Sequence, residues 1–483
     1  MKTNVLILLS DEQSAPVLGC AGHPWVQTPN LDALAARGTR FEQALTPSPI
    51  CVPARAALAT GRWVHQTGHW DNAIGYDGRP PGWGHALLAA GRRVESIGKL
   101  HYAGAEAPTG FSTQHQPMHL ADGVGQVWGS VRDPLPREPR PSRLFRELGP
   151  GESRYNRYDA ASGELAARWL HERAATPDSQ PWTLFVGFVA PHFPLVVPPR
   201  YLQGIPVDEL PLPRLLPRDG HVRHPWVQRF VDFSDADAEL GTDARRRLAL
   251  ACYYGLVNFV DEQVGRVLQA LEASGQADST LVIFSSDHGD NQGVRGLWNK
   301  SMLYRESTEV PMILAGPGVP QGRVCSTLVN LVDIAPTVLD AGGVAAPSDL
   351  PALPGRSLLS IACEPDDPSR VGFSEYHAVG SPSAAYLVRQ GRWTYHHYVG
   401  FSPELFDLAT DPGQSRDLAA DPECSAVRDH LDGLLRAMLD PLATDARAKA
   451  DQAVLVARHG GPEAALRLGP EGATPVPGVG AGG

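Results

Sequence analysis

Cys51-Val52-Pro53-Ala54-Arg55 opens an apolar run, Ala56-Ala57-Leu58-Ala59-Thr60, that ends in Gly61-Arg62. Proline suits the first turn of a helix, where its missing N–H costs nothing. Cys51 and Arg55 then lie one turn apart and share a side of the helix start. That start favours negative charge, and a forked guanidinium suits a tetrahedral oxyanion. A buried structural cysteine beside a surface arginine fits the pentapeptide equally well. Four further stretches carry groups able to do chemistry: Asp11-Glu12, Gly98-Lys99-Leu100-His101, Pro191-His192-Phe193-Pro194, and Asp287-His288-Gly289-Asp290-Asn291 followed by Gly296-Leu297-Trp298-Asn299-Lys300. Each has a bland reading: a helix cap with an acidic turn, a solvated basic tip, a loop histidine, a glycine-rich turn. Together they supply hard anionic metal ligands, cations, a nucleophile and a proton donor, the equipment for displacement at a tetrahedral oxyacid centre.

The elements that must position these groups are legible in the pattern. Runs at 5–9, 182–189 and 280–284 are apolar and β-prone, as strands buried on both faces are, and 93–97 reads as a further strand. Each ends directly in one of the polar stretches: Asp11/Glu12, Lys99/His101, His192 and Asp287/His288. In an open parallel α/β sheet the carboxyl ends of the strands face one edge, where ligands bind. Four coincidences of this kind make a set of merely solvated loops a poor explanation. Helices are predicted at 28–35, 85–90, 159–172 and 253–271, the last from apolar residues every three or four positions. Residues 103–155 are rich in Gly, Pro and Arg and predict a long excursion of loops where substrate specificity would reside; 195–217 predicts irregular chain. After a helix from 332, strands at 371–376, 385–389 and 393–398 follow in close succession, an antiparallel meander, before a closing helix at 426–439.

The chain has 483 residues and a formal net charge of −11, which argues against nucleic acid or an anionic membrane as partner. An anionic substrate must be held by local positive charge. The six cysteines (Cys20, Cys51, Cys252, Cys325, Cys363, Cys424) have neither metal-finger nor disulfide-framework spacing and read as reduced. The amino-terminal apolar run is too short for a signal peptide and no stretch is long enough to span a membrane, so a cytoplasmic protein is expected.

Cys-x-Pro-x-Arg followed by the Leu/Thr-Gly-Arg stretch resembles the signature of type I sulfatases. Asp11-Glu12, Thr28-Pro29-Asn30-Leu31-Asp32, Gly98-Lys99-Leu100-His101, Pro191-His192-Phe193-Pro194 and Asp287-His288-Gly289-Asp290 with Gly296-Leu297-Trp298-Asn299-Lys300 resemble that family's other motifs in order, from residue 4 to about 440. In the family the second residue at the first strand end is usually Asp; here it is Glu12. The Trp70-Asp71-Asn72 loop, Glu375-Tyr376-His377 and the Gly391-Arg392-Trp393 strand look closest to choline-sulfatase-like members.

The resemblance implies an α/β, alkaline-phosphatase-like fold: a large, mostly parallel central sheet flanked by helices (1–365), a smaller C-terminal α+β subdomain with an antiparallel sheet (366–445), and a helix with a Gly/Pro-rich tail (446–483). The tail is expected to be mobile or pinned by a partner subunit in a homo-oligomer. The implied activity is hydrolysis of a sulfate monoester to an alcohol and inorganic sulfate, with Cys51 converted to formylglycine by a formylglycine-generating enzyme. Asp11, Glu12, Asp287 and His288, with position 51, would hold one divalent metal; oxygen-rich ligation favours Ca²⁺, with Mn²⁺ or Mg²⁺ as alternatives. Arg55, Lys99 and Lys300 would neutralise charge on the sulfate oxygens, His192 would protonate the leaving group, and His101 would orient the nucleophile. Trp70, Asn72, Glu375 and His377 are the expected substrate contacts. The phosphonate monoester/phosphodiester hydrolases of the same superfamily carry the same signature and are the rival reading; a silent binding protein with unmodified Cys51 is the reading from another class.

Overall fold

The amino-terminal apolar run becomes a central strand of a large sheet in the computed structural model, which describes residues 3–136, 142–176, 180–346, 350–468 and 474–477. Eight strands, Asn4–Asp11 (β1), Gly38–Phe41 (β2), Arg93–Lys99 (β3), Thr113–Met118 (β4), Trp182–Pro191 (β5), Thr280–Ser286 (β6), Met312–Ala315 (β7) and Arg323–Cys325 (β8), lie in the order β8-β2-β7-β6-β1-β5-β3-β4. β7 runs antiparallel to both neighbours and every other pairing is parallel.

Both faces of the sheet are covered, which is why its central strands β1, β5 and β6 read as largely apolar runs. Leu6, Leu8, Leu184, Val186, Val282 and Phe284 face one core with the helices Pro29–Ala36 (α1), Arg154–Ala175 (α2) and Asp243–Ala273 (α3). Val5, Ile7, Leu9, Phe185, Leu281 and Ile283 face the other, against Ala56 and Leu58 of a helix spanning Cys51–Thr60 and Ile334 and Val338 of one spanning Ile334–Gly342. Burying each such aliphatic side chain contributes roughly 1.5–3 kcal/mol. The fold class therefore agrees with the expected α/β sheet.

The register delivers the chemistry to one edge. Ser10 pairs with Ser286 and Asp11 with Pro191, so three strand ends stop side by side. On the far side of β5, Gly98 of β3 pairs with Gly187. The backbones meet so closely there that a Cβ on Gly187 would stand 2.0 Å from the Lys99 carbonyl oxygen, and one on Gly98 2.2 Å from that of Gly187. Gly98 also has φ +84°, a conformation side chains oppose. The kink turns Lys99 inward.

The meander is present and gains a strand: Val371–Tyr376 (β9), Ala385–Gln390 (β10), Trp393–Tyr398 (β11) and Glu404–Asp407 (β12) form an antiparallel sheet in chain order. It is fastened to the main body, since Glu375 N–H donates to the Pro47 carbonyl (2.9 Å) and Leu45 and Ile50 pack with Tyr376, Leu387 and Phe406.

Several expectations are corrected. The 103–155 excursion contains β4, an edge strand whose polar sequence carries no apolar alternation because only Met118 is buried. The 195–217 stretch holds a short strand, Leu195–Val197. A helix over Pro441–Arg458 begins before residue 446. Of the tail, Thr474–Pro477 is described: Val476 packs against Met118, Tyr155, Tyr158 and Val189 of its own chain, while 469–473 and 478–483 lie outside the described residues. No helix among the described residues is long and apolar enough to cross a membrane.

Replacing Gly187 by Ala forces β3 away from β5 beside Lys99. The expected cost is about 1–3 kcal/mol in urea unfolding, with loss of turnover; an unchanged midpoint and rate would refute the close-packing argument.

Candidate active site

The helix carrying Cys51 begins at the sheet's carboxyl edge. Ile50 caps it in extended conformation and Cys51 is its first residue. The Val52 N–H, one of the amides left without a helical partner, donates to Asn72 Oδ1 (3.1 Å). Asn72 thus fixes the helix start, and it also lines the cavity above Cys51.

One turn on, Arg55 is fully buried and completely engaged. Its Nε donates to Asp287 Oδ2 (2.7 Å), its Nη2 to Asp11 Oδ2 (2.9 Å) and its Nη1 to the Lys99 carbonyl (2.9 Å). Burial works against its charge, yet Asp287 and Asp11 raise its pKa above the ordinary value. Arg55 was expected on the substrate's oxygens; here it is the tie between two strand-end carboxylates, because both reach it first.

Asp11, Cys51, Asp287 and His288 bring one ligand atom each to within 4.8 Å of one another. His288 Nδ1 faces the Gly289 carbonyl (3.0 Å) and so carries the proton, leaving a lone pair on Nε2, which lies 3.2 Å from Cys51 Sγ. Glu12, expected in the same ligand set, gathers instead with Asp11 and His192. Its Oε2 accepts from Lys300 Nζ (3.1 Å), while Oε1 is buried without a donor among the described residues. Burial, with Asp290 and Asp11 nearby, lifts the Glu12 carboxyl well above the ordinary range although Lys300 opposes it. A lone-pair imidazole, two aligned carboxylates and an acceptor lacking a donor fit a divalent cation.

The cations crowd the same point. Lys99 Nζ lies 2.7 Å from Asp11 Oδ2, and Lys300 Nζ lies 3.1 Å from Cys51 Sγ. Burial raises the Asp11 carboxyl, but Lys99, His192, Arg55 and Lys300 hold it well below the ordinary range. Burial, then Asp11, pushes the Cys51 thiol up to about 11. His192 stacks on Phe193 (centroids 4.2 Å apart), bonds the Phe193 carbonyl through Nδ1 (2.7 Å) and sets Nε2 3.6 Å from Glu12 Oε2. His101 Nε2 meets Thr474 Oγ1 at 2.9 Å. Glu12 (φ 70°), His101 (60°), Asn299 (63°) and Ser301 (83°) all occupy the left-handed region, so four strained residues stand around this site. Asn291 Nδ2 donates to the Asn299 (2.6 Å) and Lys300 (3.1 Å) carbonyls and holds that loop.

Above this polar floor the cavity is walled by Trp128, Phe193, Phe230, Phe233, Trp298, Leu297 and Met302, and among its described lining there is no Asp, Glu or Arg. Most of these walls were missed: Trp128 and Met302 lie outside the α-helices and strands and carry no periodic signal, while Phe230 and Phe233 come from a short helix, Pro225–Phe233, that was not read. Thr474 and Asp159, whose carboxylate accepts from Val189 and Ala190 N–H at the end of β5 (2.8 Å each), were also missed.

Three expected substrate contacts do not line the cavity. Trp70 is buried, donates to Asp451 (2.8 Å) and lies under Arg447, fastening the last long helix. Glu375 accepts from His65 N–H (2.9 Å) and lies 2.9 Å from His65 Nδ1 and 2.8 Å from His377 Nε2, joining β9 to the loop after the Cys51 helix. They sit behind the site, where the meander meets the main body. Glu375→Gln is therefore expected to lower stability by about 1–3 kcal/mol while KM stays unchanged; the reverse outcome in urea unfolding and steady-state kinetics would make it a substrate residue.

A family model described as Sulfatase matches residues 3–344, and one described as N-sulphoglucosamine sulphohydrolase, C-terminal, matches 293–440. The choline-sulfatase of Rhizobium meliloti (strain 1021) is 30% identical over 446 residues, 87% of this chain and 83% of that protein. Arylsulfatase K of Bos taurus is 29% identical over 466 residues, 90% and 82% of the two chains. Among solved structures, the phosphonate monoester hydrolase of Agrobacterium radiobacter superposes with a TM-score of 0.72 at 25% identity, covering 92% of this chain and 96% of that one. A motif series read at the sheet edge, a fold of the alkaline-phosphatase-like superfamily and relatives along nearly the whole length agree: the chain is a sulfatase enzyme and belongs to the sulfatase family.

Proposed function

We propose that the chain hydrolyses a sulfate monoester with position 51 in its formylglycine form and one divalent cation held by Asp11, Asp287 and His288, with Glu12 beside them. The observation that carries this reading is the convergence of Asp11, His288 and Lys300 on Cys51 Sγ at the floor of one cavity. The cation, Ca²⁺ by the oxygen-rich donors or Mn²⁺ by the imidazole, supplies charge to the sulfate oxygens and acidity to the nucleophile. The hydrated aldehyde, made by a formylglycine-generating enzyme, would supply one hydroxyl as nucleophile toward sulfur. Cleavage of that hydroxyl's C–O bond, with loss of the second hydroxyl's proton, would release the oxygen with the sulfate and regenerate the aldehyde.

The chain's own residues do the rest. Arg55 fixes the two carboxylates, and Lys99 balances Asp11. Lys300, 3.1 Å from Sγ, faces the charge that develops on the transferring group. Lys300 Nζ, joined by His192 Nε2 when the imidazole is charged, since Nδ1–H is held by the Phe193 carbonyl, would protonate or stabilise the departing oxygen. The aromatic and aliphatic walls receive the alcohol part and exclude water, which strengthens each charge interaction beneath them. They fit a compact alcohol with little anionic character. The same floor serves a phosphonate monoester, the substrate in the Agrobacterium radiobacter enzyme's name.

Cys51→Ala is expected to abolish turnover without altering thermal unfolding, with the aldehyde at position 51 of the parent verified by mass spectrometry. On such enzyme, kcat/KM for an aryl sulfate or choline sulfate should exceed that for a phosphonate monoester. Surviving turnover in the alanine variant would sink the nucleophile; dominance of the phosphonate would select the rival reaction. Dialysis against a chelator should remove activity and lower Tm, both restored by Ca²⁺ or Mn²⁺, since cation binding stabilises the folded state. Full activity in demonstrably metal-free protein would overturn the cation reading.

A further inference from the structure

The matching family models end at residues 344 and 440, yet one wall of the cavity comes from residue 474. Thr474 is buried and lines the same space as Cys51, His192 and Lys300. Three attachments hold it. Its hydroxyl meets His101 Nε2 at 2.9 Å, its carbonyl accepts from the Tyr155 hydroxyl, and Val476 is half-buried among Met118, Tyr155, Tyr158 and Val189.

His101 needs such a partner. It stands just past the end of β3 in the left-handed region, and its Nδ1 is buried with no partner among the described residues. An imidazole held at neither nitrogen would rotate about its side-chain bonds. A hydroxyl on Nε2, able to donate or accept, fixes the ring and leaves Nδ1 as the nitrogen available to the reacting groups.

We propose that the carboxy-terminal segment Thr474–Pro477 is a working part of the reaction chamber, with Thr474 the positioning residue for His101 and the segment a wall beside the departing alcohol. This rests on the reading of His101 as a group that orients the nucleophile. Val476 is the anchor, because its contacts join β4, α2 and β5, the elements that also bound the His101 and His192 loops.

The test uses the full-length enzyme with its aldehyde content measured. Thr474→Val should lower kcat by about tenfold or more, as small misplacements near reacting atoms do, with KM and Tm little changed. Thr474→Ser, which keeps the hydroxyl, should restore kcat to within about twofold. Independently of activity, a thiol introduced as Val476→Cys should react with maleimide about tenfold more slowly than the exposed Cys363 in peptide mapping. A valine variant equal to the parent, or a serine variant that fails to rescue, would overturn the positioning role; labelling at the rate of Cys363 would overturn the docked wall. A parent inactive on every sulfate ester would instead sink the proposed function, while the labelling still decides whether the segment is docked.

Discussion

Arg55 between Asp11 and Asp287 is the contact on which the site depends. Two carboxylates end adjacent central strands in a region with no solvent, and they can stay charged there only if cations meet them. Arg55 comes from the helix on one face of the sheet, and its remaining donor ties it to the backbone of β3. Helix position, strand ends and the Lys99 kink are therefore one mechanical unit. The bidentate-capable fork matters, since a lysine at 55 could neutralise one carboxylate but not hold both in register.

Much of this was legible because the physics is local. Buried strands in a parallel sheet cannot hide their apolar pattern, and each interruption by Asp11, Lys99, His192 or Asp287 marked a strand's carboxyl end. Cys51 and Arg55 were paired by helical spacing alone. Glu12 was less readable: one more methylene than aspartate carries its carboxylate to Lys300 and His192, a choice made by residues 288 and 180 positions away. Trp70, Glu375 and His377 are polar or aromatic residues in a buried seam, and a sequence does not distinguish a seam between two sheets from a binding wall. β4 and Thr474 gave no signal, since an edge strand needs no apolar alternation and a Thr-Pro-Val-Pro segment has no period.

The site joins two environments. Its floor concentrates Asp11, Asp287, Glu12, Arg55, Lys99 and Lys300 in near-complete burial, and its walls are aromatic and aliphatic. Charges held in a fixed arrangement under an apolar roof need little reorganisation when charge moves during reaction. The left-handed residues around the floor carry the cost of aiming these groups, and the two cores on either side of the sheet supply the stability that sustains it.

β1 lies between two strands that are made much later, β5 and β6, so the sheet's centre cannot close until residue 286 exists. At about 5–20 residues per second of synthesis, the Cys51 segment waits on the order of tens of seconds before its partners are available. During that interval the thiol that ends up sealed beneath Lys300 is open to solvent and to any modifying enzyme. After closure it lies at the floor of the cavity, open to a small molecule entering there but buried away from a modifying enzyme. The topology thus acts as a clock, setting an early window for chemistry on this residue and then shutting it.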